Sequence, residues 1–177
     1  MDRTKHRGLT LVEASTATAI AAAALTTALG GFGDLLQRRH TEGVAAELSG
    51  DLQLARTESV MRNTGVRFGF EGGVGGARCY VIHTGSTGAC TCLGASQPAC
   101  SGDAVAIKAV HFPSDGRTSV HANVGSMLFD PTRATVTPTA TIQVRTSDGR
   151  QINHIVNILG RVRSCAASGQ WPGLRPC

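Results

Sequence analysis

Apolar and small side chains fill residues 9–33, a run of 25 positions with one charge, Glu13. The run has no amphipathic stripe, and as a helix it is long enough to cross a hydrocarbon core of about 30 Å. After Gly33 the pattern turns amphipathic. Val44, Leu48, Leu52, Ala55 and Ser59 recur at spacings of three and four, while Glu47, Asp51, Glu58 and Arg62 fall elsewhere on the wheel. A single helical element over residues 9–63 would be roughly 80 Å long, with Gly30, Gly31 and Gly33 as a weak joint between its halves. From Gly65 the period falls to two: Val66, Phe68 and Phe70 alternate with Arg67 and Gly69, and Ile142 and Val144 alternate with Gln143 and Arg145. Further short apolar runs lie at 79–83, 105–110 and 127–129. The expected class is α+β, a long N-terminal helix packed on a small antiparallel β domain.

Two Ser-Asp-Gly-Arg tetrapeptides, at 114–117 and 147–150, predict hairpin turns, because glycine accepts positive φ without a Cβ penalty. Segments 72–76 and 86–102, rich in Gly and Ser, predict surface loops, and neither matches a phosphate-binding pattern. The last strand extends through 151–165. Ile152, Val156, Ile158 and Val162 share one parity and face the core on such a strand. Arg161 and Arg163 then project together from the other face, about 7 Å apart, with Gly160 leaving room beside them.

Composition adds a compartment. Six cysteines, Cys79, Cys90, Cys92, Cys100, Cys165 and Cys177, all lie beyond the apolar run and read as up to three disulfides in an oxidising environment. Cys165 with Cys177 is the natural local pair; the other four stay unassigned, since Cys90 and Cys92 are too alike to rank. A metal site built from Cys90, Cys92 and Cys100 with Cys79 or a histidine is the competing reading, against which the spacing and the compartment both speak. No metal or cofactor is expected. Aromatic content of 4% in 177 residues supports one modest globular domain behind the helix.

Arg3, Lys5 and Arg7 precede the apolar run and favour a cytoplasmic N-terminus, which places everything after Gly33 across the membrane. A secretory signal has a shorter apolar core with its cut behind it; here the candidate cut, Gly8-Leu9, lies in front. A carboxylate inside a membrane span costs at least about 2.5 kcal/mol, so Glu13 either snorkels at the interface or has a function. The stretch Lys5-His6-Arg7-Gly8-Leu9-Thr10-Leu11-Val12-Glu13 resembles the leader of a type IV prepilin, in which Glu13 becomes the fifth residue once Gly8-Leu9 is cut. The resemblance implies cleavage after Gly8 by a prepilin peptidase, N-methylation at Leu9, and pairing of Glu13 with a neighbouring subunit's amino terminus. It also implies a single-pass inner-membrane protein with a periplasmic domain, later assembled into a pilus at the cell surface. The chain then divides into a leader (1–8), a membrane or filament-core helix (9–33), an amphipathic helical half (34–63) and a disulfide-containing β domain (64–177).

The charge lies in that β domain. Residues 64–177 hold ten Lys or Arg against five acids, which accounts for the net +5, and from 141 onward Arg145, Arg150, Arg161, Arg163 and Arg175 face only Asp148. Such clustering is the footprint of a polyanion binder, or of a solvated basic face. The Gly160-Arg161-Val162-Arg163 quartet, after a prepilin leader and a small β domain, is similar to the FimT branch of the FimT/GspH minor pilin family. That similarity implies DNA binding for natural transformation, with Arg161 and Arg163 as primary contacts, Gly160 beside them, and Arg150, Arg145 and Arg175 widening the patch. DNA would be held through its phosphates without sequence preference, and the remaining partners would be other major and minor pilins. The cysteine-rich stretch 72–102 departs from the family pattern. Two alternatives share the leader and fold: a minor pilin needed only for pilus assembly, and a GspH-like pseudopilin of a type II secretion system. Enzymatic activity is not expected, since neither His-Glu-x-x-His nor Gly-x-Ser-x-Gly occurs and the six histidines are dispersed.

Overall fold

One helix, α1 (Leu11–Arg62), opens the chain and runs straight through Gly30, Gly31 and Gly33, so these glycines do not form a joint in it. The structure is a computed structural model that describes residues 10–177 except 74–75, 93–96, 113–115 and 170, with 26–31 and 73 described by their backbone alone. The cut at Gly8-Leu9 lies outside the described residues. Thr10 starts α1: its hydroxyl accepts the Glu13 N–H at 3.3 Å, one half of a Thr-x-x-Glu capping box. Arg62, paired with Glu58 at 2.5 Å, ends it, and Asn63 follows in the left-handed region at φ 47°.

The chain forms two compact units, Met1–Arg38 and Arg39–Cys177. In the first, Leu11, Val12, Ile20, Leu25 and Phe32 present exposed apolar side chains, Leu11 being 87% exposed. Among the described residues no helix is long and apolar enough to cross a membrane. In the second, the helical spacing read from the sequence becomes the core. Leu48, Leu52, Ala55 and Ser59 are fully buried, and the apolar ones join one cluster with Phe68, Tyr80, Ile82, Met127, Phe129, Ile142 and Ile152 from the sheet.

The sheet is built from β1 (Val66–Gly73), β2 (Gly76–Thr84), β5 (Ala106–His111), β6 (Thr118–Ala122), β7 (Ser126–Phe129), β8 (Val136–Thr137), β9 (Ala140–Thr146), β10 (Gln151–Val156) and β11 (Val162–Ser168). Its order is β11-β10-β9-β6-β2-β1-β7-β8, with β5 also paired to β2 and every pairing antiparallel. The apolar runs of the sequence become strands, with three corrections. Segment 72–76 is not a loop: the β1–β2 ladder continues to Gly72 opposite Ala77 and Gly73 opposite Gly76. Segment 114–117 does not close a hairpin, because β5 and β6 both pair with β2, β6 at Ala77 and β5 from Cys79 onward. Only 147–150 is a hairpin turn, with Gly149 at φ +88°. Segment 86–102 is stapled as well as looped: β3 (Cys90–Thr91) pairs with β4 (Ala99–Cys100), and Cys90 stands opposite Cys100.

The disulfides are Cys79–Cys92, Cys90–Cys100 and Cys165–Cys177. No thiol remains free for a metal, and the Glu71 carboxylate beside the first disulfide accepts the Cys92 N–H at 2.9 Å. Asp51 is the correction on the helix. The wheel put it on the polar side, yet it is buried, where the Tyr80 hydroxyl donates to it at 2.5 Å and the Lys108 ammonium lies 2.7 Å away. Burial and then the Asp51 hydrogen bond push the Tyr80 phenol far above its ordinary pKa. Burial alone would lower the Lys108 pKa, but its bonds to Asp51 and Glu47 outweigh that and raise it. The cluster fastens α1 to β2 and β5 with charge-assisted bonds whose members are desolvated together.

Candidate nucleic-acid interface

Residues 151–165 do not form one strand. β10 ends at Val156, the chain turns through Asn157, Ile158, Leu159 and Gly160, and β11 returns antiparallel with Val162 opposite Val156 and Arg163 opposite Ile155. The parity rule holds for Ile152 and Val156, both buried, and fails at Ile158, which is 58% exposed at the tip beside Leu159 at 55%. Strand parity presupposes a continuous strand, and the turn breaks it.

Asn157 organises the turn. Its carbonyl accepts the Gly160 N–H at 2.9 Å, and its side-chain oxygen accepts N–H groups from Leu159 at 3.1 Å and Arg161 at 2.9 Å, an Asx arrangement. Ile158 in turn accepts the Val136 N–H at 2.8 Å, tying the tip to β8. Gly160 is required twice. Its φ of +68° is strained for any other residue, and a Cβ there would lie 3.2 Å from Arg56 Cδ and 3.3 Å from Val136 Cγ2. The turn delivers Arg161 and Arg163 as exposed side chains on either side of half-buried Val162. Among the described residues neither pairs with a carboxylate.

The other three arginines stand at the opposite end of the hairpin, about 17 Å along β10. Arg145 spends its guanidinium on Gln151 at 2.8 Å and Gln143 at 2.5 Å. Arg150 pairs with Asp148 at 2.6 Å, lies 5.8 Å from the Trp171 ring centroid, and is 18% exposed at its side chain. The Asp148 carboxyl is held down at about 2, first by the Arg150 bond and then by the Thr146 hydroxyl. Arg175 is exposed, with its carbonyl accepting the Ala166 N–H at 2.8 Å. The structure therefore brings Gly160, Arg161 and Arg163 together and sets Arg145, Arg150 and Arg175 apart from them.

Between the two ends His154 is buried, 2.8 Å from the Ser164 hydroxyl, and its pKa falls to about 4, chiefly because burial disfavours the imidazolium. Trp171, also buried, donates its indole N–H to the Ser168 carbonyl at 3.2 Å and so fills the tail, not a stacking platform. Sequence reasoning missed Asn157, whose position three residues before a glycine is a turn signal. It also missed Arg56 on α1 and Arg133, exposed in the β7–β8 loop, which only tertiary structure brings toward the turn.

The sequence model of the family described as "Type II transport protein GspH" matches residues 44–160, so Arg161 and Arg163 follow directly on the matched segment. Among solved structures, the type IV minor pilin FimU of Pseudomonas aeruginosa is similar at 16% identity and a TM-score of 0.53, over 71% of this chain and 88% of that one. A second crystal form of FimU is similar at 16% identity and a TM-score of 0.51, over 70% and 90%. No curated protein matches the chain.

Proposed function

The chain belongs to the GspH family of pilins and pseudopilins, and we propose that it is a FimT-like minor pilin of a type IV pilus that binds DNA for uptake in natural transformation. The observation that carries the reading is the pair Arg161 and Arg163, presented bare of carboxylates by a turn that Asn157 and Gly160 hold in shape. Guanidinium groups so placed make bidentate, charge-assisted bonds to phosphate oxygens. With two primary contacts and no recognition helix, binding is weak, salt-dependent and indifferent to sequence, and several copies along a filament multiply it.

The N-terminal part of the proposal rests on the leader. The peptidase cuts after Gly8, Leu9 becomes the methylated terminus, and residues 9–33 lie first in the inner membrane and then among other pilins in the filament core. The exposed Leu11, Val12, Ile20, Leu25 and Phe32 support it, since such a row needs an apolar partner. Glu13, in the first turn of α1, then pairs with a neighbour's amino terminus.

The test is a titration of fluorescent duplex DNA with the full chain in non-ionic detergent at several salt concentrations, beside Arg161→Gln/Arg163→Gln. Salt-dependent binding lost in a folded double variant upholds the reading; no binding by the unsubstituted chain at low salt sinks it. The family's description favours a second reading, a pseudopilin of a type II secretion system. Deletion of the gene would then abolish protein secretion and leave transformation intact.

A further inference from the structure

The Arg161–Arg163 pair has a neighbour that no sequence motif contains. Arg56 stands on α1 beside the buried row Leu52, Ala55 and Ser59, half-buried, with its stem laid against the turn. Its Cδ and Nε lie 3.2 and 3.3 Å from where a Gly160 Cβ would be, so its guanidinium begins within a few ångströms of the backbone that carries Arg161. The neighbouring acids of α1 are already engaged: Asp51 by Tyr80 and Lys108, and Glu58 by Arg62 at 2.5 Å. Among the described residues Arg56 pairs with no carboxylate. Three guanidinium groups from a helix and a hairpin thus converge without a counter-charge. Like charges held together by packing repel, and a polyanion laid across them relieves that repulsion.

We propose that Arg56 is the third arm of the phosphate clamp and that Gly160 serves to seat it, leaving the contact with DNA to the arginines. The proposal rests on the DNA-binding reading above and deepens it. It moves the clamp from one hairpin to the seam between α1 and the β10–β11 turn. The side chains that share a DNA backbone then come from positions 56, 161 and 163, and the phosphates they touch lie on one strand passing over that seam. Arg145, Arg150 and Arg175 contribute only to the surrounding field.

The experiment is the same DNA titration across a salt series, with the full chain, Arg56→Gln, Arg56→Met and Arg56→Lys. Arg56→Met keeps the stem that packs on Gly160 and Val136 while removing the charge, so folding and clamping separate. The expected result is a loss of affinity of about three- to tenfold at low salt for the Gln and Met variants, with the slope of log affinity against log salt reduced by about one. Arg56→Lys retains the slope. If the unsubstituted chain binds DNA and Arg56→Met binds with the same affinity and slope, Arg56 is a packing residue and the inference fails while the Arg161–Arg163 reading stands. If the unsubstituted chain does not bind DNA, that reading fails first and takes the inference with it.

Discussion

At one end of the β10–β11 hairpin Arg150 is paired with Asp148, set against Trp171 and largely covered, and Arg145 is tied to two glutamines. At the other end Arg161 and Arg163 meet no carboxylate and stand in solvent. The same residue type, a few residues apart in sequence, is spent on structure at one end and left available at the other. The difference comes from what surrounds each arginine: a disulfide-closed tail with a buried indole below, and a tight turn with no acid above. Counting arginines along the chain merges the two ends into one patch; their partners separate them.

The hardest way to break the comparison is to remove the anchor at the structural end. Trp171→Ala should destabilise the protein by about 3–5 kcal/mol, read from denaturant unfolding. The folded fraction should keep its DNA affinity, because the turn at 157–160 does not touch the tail. A loss of affinity in the folded protein would show that the ends are coupled. Next in size is the pH response of His154, which lies between them. Its folded-state pKa of about 4 is below the ordinary histidine value. Stability is therefore at its full level above about pH 6.5 and declines as pH falls toward 4, because the unfolded chain takes up the proton first. The decline reaches about 3 kcal/mol at most. Replacing His154 by Leu should flatten that part of the curve; an unchanged pH profile would mean another group titrates there.

The arginines themselves sharpen the comparison. Arg161→Gln/Arg163→Gln should cost at least about tenfold in DNA affinity and reduce the salt slope by about two, with stability moved by less than about 0.5 kcal/mol. Arg145→Gln/Arg175→Gln, an equal change in net charge, should cost less affinity at every salt concentration. Equal losses from the two pairs would reduce the interface to net charge alone. The smallest effect expected is that of Asn157→Ala, about 1–2 kcal/mol of stability through the lost bonds to Leu159 and Arg161. The accompanying weaker DNA binding should appear in the fast phase of dissociation, since the arginines are present but no longer held.

Much of this was legible before folding. The helical spacing from Val44 to Ser59, the alternation at Val66–Phe70 and Ile142–Val144, and the Cys165–Cys177 pair are local patterns, and local patterns suffice where one face is apolar. What escaped was set by partners far away in sequence. Asp51 looks solvent-facing on a wheel and is buried because Tyr80 and Lys108, 29 and 57 residues on, converge over it. Cys79–Cys92 and Cys90–Cys100 could not be ranked because the choice depends on which side of a two-residue strand each sulfur leaves. The stretch 151–165 looked like one strand because Ile158 and Leu159 are apolar, and the Asn157–Gly160 turn signal was outweighed by parity. The arginine pair was visible as a motif; its seat against Arg56 was not, since no spacing joins residues 56 and 160.

The closing segment has a consequence for how this protein keeps to itself. Ala166 in β11 exchanges backbone bonds with the tail, its N–H going to Arg175 and its carbonyl receiving the Cys177 N–H at 3.0 Å, while Cys165–Cys177 holds the tail in place. An uncovered outer strand would be a template for another chain's backbone, the usual route from a sheet to an aggregate. Oxidation of that one disulfide is therefore a safeguard for solubility as much as for stability. Chain made in a reducing compartment lets the tail lift, uncovers β11, and offers the next molecule a strand to continue.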